Sequence, residues 1–357
     1  MRRVASVTSW LPLALVMAAA RVGAVDCYTE VDPVYLDTDV PSLVKATTPA
    51  QIERIRTELI EYIWKAPALP EDLPSVATNV TNPFADLPTP PGVARIDELT
   101  VPMDDLVARM YLFVPEHASR RLVIFHQGHA DVLWYSNGRS VIRRFLAERV
   151  PVLVVFMPMY GPNTAPWGPV PFFHWPLMWR ETPSLSPIRY FLEPVVRAVT
   201  YAQQVLHIRH ISMVGVSGGG WTTTLAAAVD PRITVSVSVA GSVPSYLRSP
   251  SCPPTAGTGD YEQIHPPLYA IADYLDLYVL AAYGRHRGHL QVINQFDPCC
   301  SAGLGYQTYG DFLRNLVERL PRGGQYEMFL DSSHTAHIIS PYVLDTAIEP
   351  FVRYRRL

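Results

Sequence analysis

From residue 93 onward, short apolar runs alternate along the chain with longer stretches in which apolar residues recur at helical spacing. The runs contain few alternating polar residues, which is typical of strands buried on both faces of a sheet. Eight strands are predicted, at 93–100, 106–114, 121–125, 152–157, 211–216, 233–239, 290–294 and 326–330. The first two flank Met103-Asp104-Asp105 and predict an antiparallel hairpin, whereas the others alternate with helices and predict parallel pairing.

Helices are predicted at 139–149, at 188–206, after residue 218 and from Pro341 onward. A further helix is predicted before the sheet, with Thr48 as N-cap, Pro49 at the first helical position and Gln51 completing a capping box. Its apolar residues fall on one face, so we expect this helix to pack against the main body. The predicted fold class is α/β, with an eight-stranded, mostly parallel sheet covered by helices on both faces.

The first 24 residues have the pattern of an export signal. Arg2 and Arg3 supply positive charge, a mostly apolar stretch follows to Ala20, and small residues precede a cleavage site near Ala24. The apolar stretch is short of the ~20 residues that a membrane span needs, although an uncleaved anchor is the alternative. We therefore expect a secreted or periplasmic protein with no stable membrane span after cleavage.

The rest of the chain divides into an N-terminal region at 25–92 and a main domain at 93–357. The N-terminal region holds the predicted helix and a proline-rich wrap at 66–92, for which no regular structure is expected. Two aromatic-rich insertions, at about 159–187 and 242–289, interrupt the main domain. Because such long connections are usually lids or binding loops, we expect their aromatic residues as a group to form an apolar, partly covered pocket mouth. Taken singly, most of these aromatics are expected to pack in the core. The aromatic residues of the two insertions are Trp167, Phe172, Phe173, Trp175, Trp179, Tyr246, Tyr261, Tyr269, Tyr274, Tyr278 and Tyr283.

Charge and cysteine content narrow the partners and the compartment. The formal net charge of -3 is spread along the chain, and there is no basic stripe with interleaved aromatics, so no nucleic-acid partner is expected. The oligomeric state is left open.

The four cysteines, Cys27, Cys252, Cys299 and Cys300, predict two disulfides in an oxidising compartment. A bridge between adjacent Cys299 and Cys300 would be strained, so each is expected to reach Cys252 or Cys27, with free buried thiols as the alternative.

The most informative stretch is Gly215-Val216-Ser217-Gly218-Gly219, which fits the pattern G-x-S-x-G between an apolar strand and a helix. A sharp strand-to-helix turn of this kind exposes the serine hydroxyl above the edge of the sheet. The glycines leave room for the crowded turn, and the first N–H groups of the helix point at the same spot. Ser217 is therefore the candidate nucleophile, and an ordinary glycine-rich turn is the alternative.

A nucleophilic serine needs a base to accept its proton and a carboxylate to orient that base. Asp297, just after a predicted strand, is the candidate acid, and Asp331, just after the last strand, is a weaker rival. The candidate base is His337, with His334 as the alternative. His337 is preferred because Ser340 as N-cap and Pro341 at the first helical position fix its distance from the last helix.

Two backbone N–H groups are also needed, to bind the oxyanion of a tetrahedral intermediate. Gly218 is expected to supply one, and Gln127, Gly128 or His129, in the turn after the strand at 121–125, the other. The spacing His126-x-x-His129-x-Asp131 is also compatible with metal ligands, but no further cluster along the sequence completes a site. We therefore expect no metal.

Taken together and in this order, the turn at 126–129, the G-x-S-x-G motif, Asp297 and the histidine pair resemble the α/β-hydrolase superfamily. The resemblance covers residues 93 to the C-terminus and implies a carboxylic ester hydrolase of the esterase or lipase type. Such an enzyme works through an acyl-enzyme, without a cofactor, on a small-molecule or polymer-borne ester. A peptidase or polyester depolymerase with the same triad, and a catalytically silent binding protein, are the alternatives. Gln127 between His126 and Gly128, and the duplicated histidine, depart from the commonest pattern.

Overall fold

The computed structural model describes residues 26–84, 87–130, 133, 137–163, 174–248 and 259–354. The strands within this part are β1 Ser75–Ala77, β2 Val93–Met103, β3 Leu106–Pro115, β4 Arg121–His126, β5 Val152–Val155, β6 His210–Val216, β7 Ile233–Val239, β8 Gly288–Asn294 and β9 Gln325–Asp331. They form one sheet in the order β1-β2-β3-β5-β4-β6-β7-β8-β9. The pairs from β1 to β5 are antiparallel, and all pairs from β5 to β9 are parallel. The predicted class and the predicted hairpin are confirmed.

The α-helices of the described residues are α1 Pro33–Leu36, α2 Val40–Leu43, α3 Pro49–Trp64, α4 Gly138–Ala147, α5 Trp175–Met178, α6 Arg189–Gln204, α7 Gly218–Val229, α8 Pro266–Ile271, α9 Tyr274–Ala282, α10 Gly310–Arg319, α11 Pro341–Val343 and α12 Glu349–Tyr354. A π-helical turn, Leu344–Ile348, joins α11 to α12. No helix within the described ranges combines the length and the apolar character that crossing a membrane requires.

Two apolar clusters, one on each face of the sheet, form the core. The first contains side chains of α3, α6, α7, α9 and α10, and the second contains side chains of α4, α11 and α12. All twelve residues of α7 are buried, which explains the alanine-rich and glycine-rich sequence of a helix that is enclosed on every side. The arrangement confirms the prediction that helices cover both faces of the sheet.

The N-cap and the first helical position of α3 are as predicted, whereas the Gln51 side chain accepts the backbone N–H of Thr47 at 3.2 Å and so departs from the predicted capping box. The Thr48 hydroxyl accepts a hydrogen bond from Gln51 N at 3.3 Å, and Pro49 occupies the first helical position. The apolar face of α3 packs against α7 and α9. In addition, Arg56 Nε donates to the carbonyl of Ala228 at 2.9 Å, which ties α3 to the last turn of α7.

The structure contains a ninth strand where the sequence predicted no regular structure. Strand β1 lies inside the proline-rich segment and pairs with β2, with Ser75 opposite Thr100. Pro74 directly precedes β1, and the strand is at the edge of the sheet, where a missing N–H donor nearby costs little. Proline density therefore excluded a helix here but did not exclude a short edge strand.

The described part of the second insertion, 242–248 and 259–289, includes helices and does not form an open binding loop. It contains α8 and α9, and Tyr274 and Tyr278 on α9 are fully buried. Tyr269 accepts a hydrogen bond from Trp221 Nε1 at 2.8 Å and donates to Tyr274 at 2.6 Å. These tyrosines thus serve the core, as hydrogen-bonded aromatic side chains of buried helices commonly do.

In the first insertion, the rings of Trp175 and Trp179 are in contact at 4.4 Å between centroids, and Trp179 is 74% exposed. The predicted pocket-mouth residues Trp167, Phe172 and Phe173 lie outside the described residues, as do the predicted signal at 1–24 and Cys252.

Candidate active site

Ser217 occupies a sharp turn between β6 and α7. Its backbone has φ 57° and ψ -129°, a conformation that non-glycine residues adopt only under strain and that is found at functional turns. A Cβ atom on Gly215 would lie 2.1 Å from the carbonyl oxygen of Gly219, and one on Gly219 would lie 2.2 Å from that of His126. Both contacts are far below van der Waals distance and involve backbone, so the turn requires glycine at these two positions.

The sheet topology places the candidate triad at one edge. Ser217 follows β6, Asp297 follows β8 and His337 follows β9. Strands β6, β7, β8 and β9 are consecutive parallel neighbours, so their carboxyl ends all lie at the same edge of the sheet. Ligands bind at this edge in open α/β sheets.

His337 and Asp297 form a direct pair. Nδ1 of His337 lies 2.6 Å from Oδ2 of Asp297, whose side chain is fully buried. The other carboxylate oxygen accepts the backbone N–H of Cys299 at 2.8 Å, which fixes the carboxylate in place. Because the carboxylate can only accept, the proton is on Nδ1 of His337, and Nε2 is the nitrogen that can act as a base.

His334 is held in a different arrangement. Its Nδ1 accepts the backbone N–H of Ala336 at 3.1 Å, so the neutral ring carries its proton on Nε2. That Nε2 lies 3.2 Å from Oδ2 of buried Asp331. His334 therefore pairs with the rival acid, and its tautomer is the opposite of the one that a base oriented by a carboxylate at Nδ1 requires.

Asp331 supports the start of the last helical segment. The Ser340 hydroxyl donates to Asp331 Oδ2 and accepts from Val343 N at 2.9 Å, which confirms Ser340 as the N-cap that the sequence predicts. Ser333 N donates to the other oxygen at 3.0 Å. Burial raises the pKa of Asp331, but the hydrogen bonds from Ser333 and Ser340 outweigh it and hold that pKa below its ordinary value.

The candidate oxyanion donors lie on both sides of Ser217. Gly218 is the first residue of α7, so its N–H belongs to the unpaired first turn. A Cβ atom on Gly128 would lie 3.3 Å from Ser217 Oγ, which places the turn after β4 directly beside the hydroxyl. The N–H of Gln127 already donates to Val155 O at 2.9 Å, so this geometry favours Gly128 or His129 over Gln127 as the second donor.

Comparisons with known proteins give structural neighbours only. No protein-family model matches the chain, and no curated protein sequence matches it. Acetyl xylan esterase 1 from Thermoanaerobacterium sp. JW/SL YS485 superimposes with a TM-score of 0.59 at 13% identity, covering 90% of this chain and 100% of that one. An acetyl xylan esterase from Paenibacillus sp. R4 gives 0.59 at 14% identity, covering 90% and 99%. The glucuronoyl esterase from Solibacter usitatus gives 0.55 at 14% identity, covering 88% and 98%.

The chain has the α/β-hydrolase fold. In this fold the nucleophile, the acid and the base occur in that chain order. The candidates Ser217, Asp297 and His337 follow β6, β8 and β9 in the same order. At these identities the likeness concerns the fold.

The predicted pairing of Cys299 and Cys300 with Cys27 and Cys252 is wrong. Cys299 and Cys300 form a disulfide with each other, and their sulfur atoms lie within 4.8 Å of a ring nitrogen of His337. The chain bends tightly here, since Cys299 N donates to Asp297 and Ser301 has φ 51°. This bent backbone brings two adjacent sulfur atoms together, whereas an extended chain would direct them apart. Cys27 is also disulfide-bonded.

Sequence reasoning missed one group of residues beside the active-site turn. His129, His174, Asp260 and Glu262 converge, and we call this group the histidine–carboxylate cluster. His126, which the sequence grouped with His129, has its Nδ1 2.8 Å from the carbonyl of Gln127, and Asp131 lies outside the described residues. The partners of His129 come from the two insertions, and no local spacing in the sequence indicates them.

Proposed function

We propose that the protein is an exported serine hydrolase that cleaves carboxylic esters through an acyl-enzyme. Ser217 Oγ attacks the ester carbonyl while Nε2 of His337 accepts the hydroxyl proton. The ester C–O bond then breaks, and protonated His337 gives the proton to the departing alcohol. Water, activated by His337 in the same way, releases the acid and restores Ser217.

The observation that carries this proposal is the 2.6 Å pair of His337 and buried Asp297 at the same sheet edge as strained Ser217. A buried carboxylate bound to imidazole Nδ1 stabilises the imidazolium that forms when the serine proton is taken. Gly218 directly follows Ser217, and the backbone of Gly128 lies beside the Ser217 side chain, which supports both as donors to the oxyanion. Geometry of this kind gives chemical support to a hydrolase and argues against a silent binding protein.

The substrate class is proposed from the structural neighbours. The solved structures with the same fold include acetyl xylan and glucuronoyl esterases, so esters carried on carbohydrate are the first class to test. The exposed Trp179, in contact with Trp175, offers an aromatic surface that suits a sugar ring as well as an apolar acyl group. Within the described residues, no specific structural feature favours a peptide substrate.

Export is proposed from the sequence pattern at 1–24 and from the disulfide-bonded cysteines. Expression of the whole chain in a secreting host tests it. The expected product is a secreted or periplasmic protein whose N-terminus lies near Val25. Retention in the membrane with Met1 still present would instead support the uncleaved anchor.

The hydrolase proposal is tested by active-site labelling. A fluorophosphonate probe should label the wild type once, on the peptide that contains Ser217, and should not label Ser217→Ala. Ser212→Ala is the matched control, because Ser212 is a buried serine on β6, the strand that leads to Ser217, and its variant should label normally. Turnover of p-nitrophenyl esters of increasing acyl length, set against acetylated xylan, then defines the substrate. A folded wild type that neither labels nor turns over any ester would contradict the proposal.

A further inference from the structure

The histidine–carboxylate cluster joins three separate parts of the chain beside the active-site turn. His129 follows β4, His174 precedes α5 in the first insertion, and Asp260 and Glu262 lie in the second insertion before α8. His174 and Glu262 are fully buried, and His129 is the most exposed of the four at 20% of its side chain. Carboxylates and imidazoles are almost never buried together unless they pair or bind a metal ion.

The separations that involve His129 Nε2 and His174 Nδ1 are close to those between donor atoms in a tetrahedral coordination shell. Asp260 Oδ2 lies 3.1 Å from His129 Nε2 and 3.0 Å from His174 Nδ1. Glu262 reaches the same two nitrogens at 3.2 and 3.1 Å, one with each carboxylate oxygen. The two nitrogens are 3.3 Å apart. In a tetrahedral zinc site with bonds of about 2.0–2.1 Å, neighbouring donor atoms are separated by about 3.3 Å.

The position of the protons on His174 also favours a metal ion. Its Nε2 lies 2.9 Å from the carbonyl oxygen of Pro158, which can only accept, so Nε2 carries the proton. A neutral His174 would direct the lone pair of Nδ1 at two carboxylates, an arrangement that needs either a cation between them or a second proton on the ring. A histidine that binds a metal through one nitrogen commonly donates its other N–H to a carbonyl in this way.

The carboxylates are oriented from outside as well. Asp260 accepts the backbone N–H of Tyr261 at 2.7 Å through Oδ1 and that of His174 at 3.1 Å through Oδ2. Such second-layer hydrogen bonds fix the direction of ligand oxygens. Two ionised carboxylates and two neutral imidazoles carry a charge of -2, which one divalent cation balances in a buried space where unbalanced charge is costly.

We propose that the histidine–carboxylate cluster is a tetrahedral binding site for one divalent transition-metal ion, with zinc as the best match to its two nitrogen and two oxygen donors. Four protein ligands fill the tetrahedral shell, so the ion has a structural role and does not activate water. This proposal stands apart from the esterase activity, because it concerns binding and stability.

The ion would fasten both insertions to the turn that borders Ser217. A Cβ atom on Gly218 would lie 2.5 Å from Cε1 of His129, so the imidazole packs directly against the first residue of α7. His129 also follows Gly128, whose backbone lies beside the Ser217 hydroxyl. Holding His129 to the two insertions thus holds the wall of the candidate active site.

A metal-free cluster is the competing description, and it is chemically distinct. Burial lowers the pKa of His174, but Glu262 and Asp260 outweigh burial and raise it to about 10, so without an ion this imidazole is protonated. The cluster would then be a buried ion-pair network that excludes a second cation. Metal content and metal-dependent stability separate the two descriptions.

The test measures zinc bound to the purified protein produced in zinc-supplemented medium. Elemental analysis after gel filtration should give about one zinc per chain for the wild type. His174→Gln and Glu262→Gln should each lose most of it. His265→Gln is the matched control, because His265 is another largely buried histidine of the second insertion that pairs with a carboxylate, Glu181 at 2.8 Å, outside the cluster. This control should keep its zinc.

A second measurement keeps the proposal testable if a cluster variant fails to fold. Wild-type protein stripped with a chelator should unfold at a temperature several degrees lower and should recover when zinc alone is restored. Substitution by cobalt should give the intense visible absorption of a tetrahedral site. The proposal would be overturned if the wild type carried no zinc and its unfolding temperature changed with neither chelator nor added zinc. Full zinc content in His174→Gln would overturn it as well.

Discussion

His337 and Asp297 share a 2.6 Å hydrogen bond from imidazole Nδ1 to a fully buried carboxylate oxygen. Three residues earlier, His334 faces Asp331 instead, and it accepts a backbone N–H at its own Nδ1. The two histidines of one short loop therefore hold opposite tautomers, and each has its own acid. Only in His337, whose Nδ1 donates to Asp297, is Nε2 unprotonated and able to accept the proton of a serine.

The first prediction separates the two histidines by activity. His337→Gln should lower kcat/KM for an activated ester by about 10³-fold or more, since a triad without its base keeps only binding and oxyanion stabilisation. His334→Gln, the matched change, should stay within about tenfold of wild type and lose mainly thermal stability. Equal losses in both variants, measured on proteins with native circular dichroism, would contradict the assignment of His337.

The second prediction concerns the acid. Asp297→Asn should lower kcat by about 10⁴-fold with little change in KM, because the amide can donate to Nδ1 and so favour the wrong tautomer of His337. Asp331→Asn is the matched control and should keep activity within about tenfold. Steady-state kinetics on one activated ester decides between them. A larger loss in the Asp331 variant would move the acid role to the weaker rival.

The sequence predicted those features that depend on neighbours along the chain. The hairpin turn, the N-caps Thr48 and Ser340 and the glycine-framed turn at Ser217 are local patterns, and the structure contains each of them. The buried parallel strands were predictable for the same reason, since their apolar runs are continuous in the sequence. The catalytic roles of Ser217, Asp297 and His337 stay predictions until activity is measured.

Other features depend on the path of the chain in space and had no local signal. His129 and His174 are 45 residues apart, and Asp260 follows His174 after a further 86, yet their side chains meet. The Cys299–Cys300 disulfide depends on a bend of the backbone that Asp297 stabilises. Two adjacent cysteines in a sequence do not indicate such a bend. Strand β1 forms because its backbone pairs with that of β2 at the edge of the sheet.

The third prediction tests the space around the Ser217 turn. Gly219→Ala should destabilise the protein by about 3 kcal/mol or more, because the added Cβ would lie 2.2 Å from the backbone carbonyl of His126, which cannot move without shifting β4. Gly310→Ala is the control. Its Cβ would lie 3.2 Å from the flexible side chain of Met328, so its cost should be below about 1 kcal/mol. Urea unfolding of both variants gives the comparison.

The fourth prediction tests whether the N-terminal helix is an integral part of the fold. Ile55 on α3 is fully buried against the α7 side of the sheet, and Ile55→Ala should cost about 2–5 kcal/mol through the cavity it leaves. Ile60 on the same helix is only partly buried, so Ile60→Ala should cost clearly less. Unfolding free energies of both variants that equal that of wild type would mean that α3 docks weakly.

The fifth prediction follows from the lowered pKa of Asp331. Burial acts to raise that pKa, but hydrogen bonds from Ser333 and Ser340 dominate and keep it below the unfolded value of about 3.9. The folded state therefore favours the ionised form, so this carboxylate stabilises the fold above the unfolded pKa and loses that contribution as the pH falls through the folded pKa.

Asp331→Asn should thus be less stable than wild type at pH 7, and the difference in unfolding free energy should narrow below about pH 4. Asp311→Asn, at an exposed carboxylate, should show no such pH-dependent gap in urea unfolding. A gap for Asp331→Asn that stayed constant from pH 7 to about 3 would mean that shape, and not charge, is what Ser340 and the last helix require from this residue.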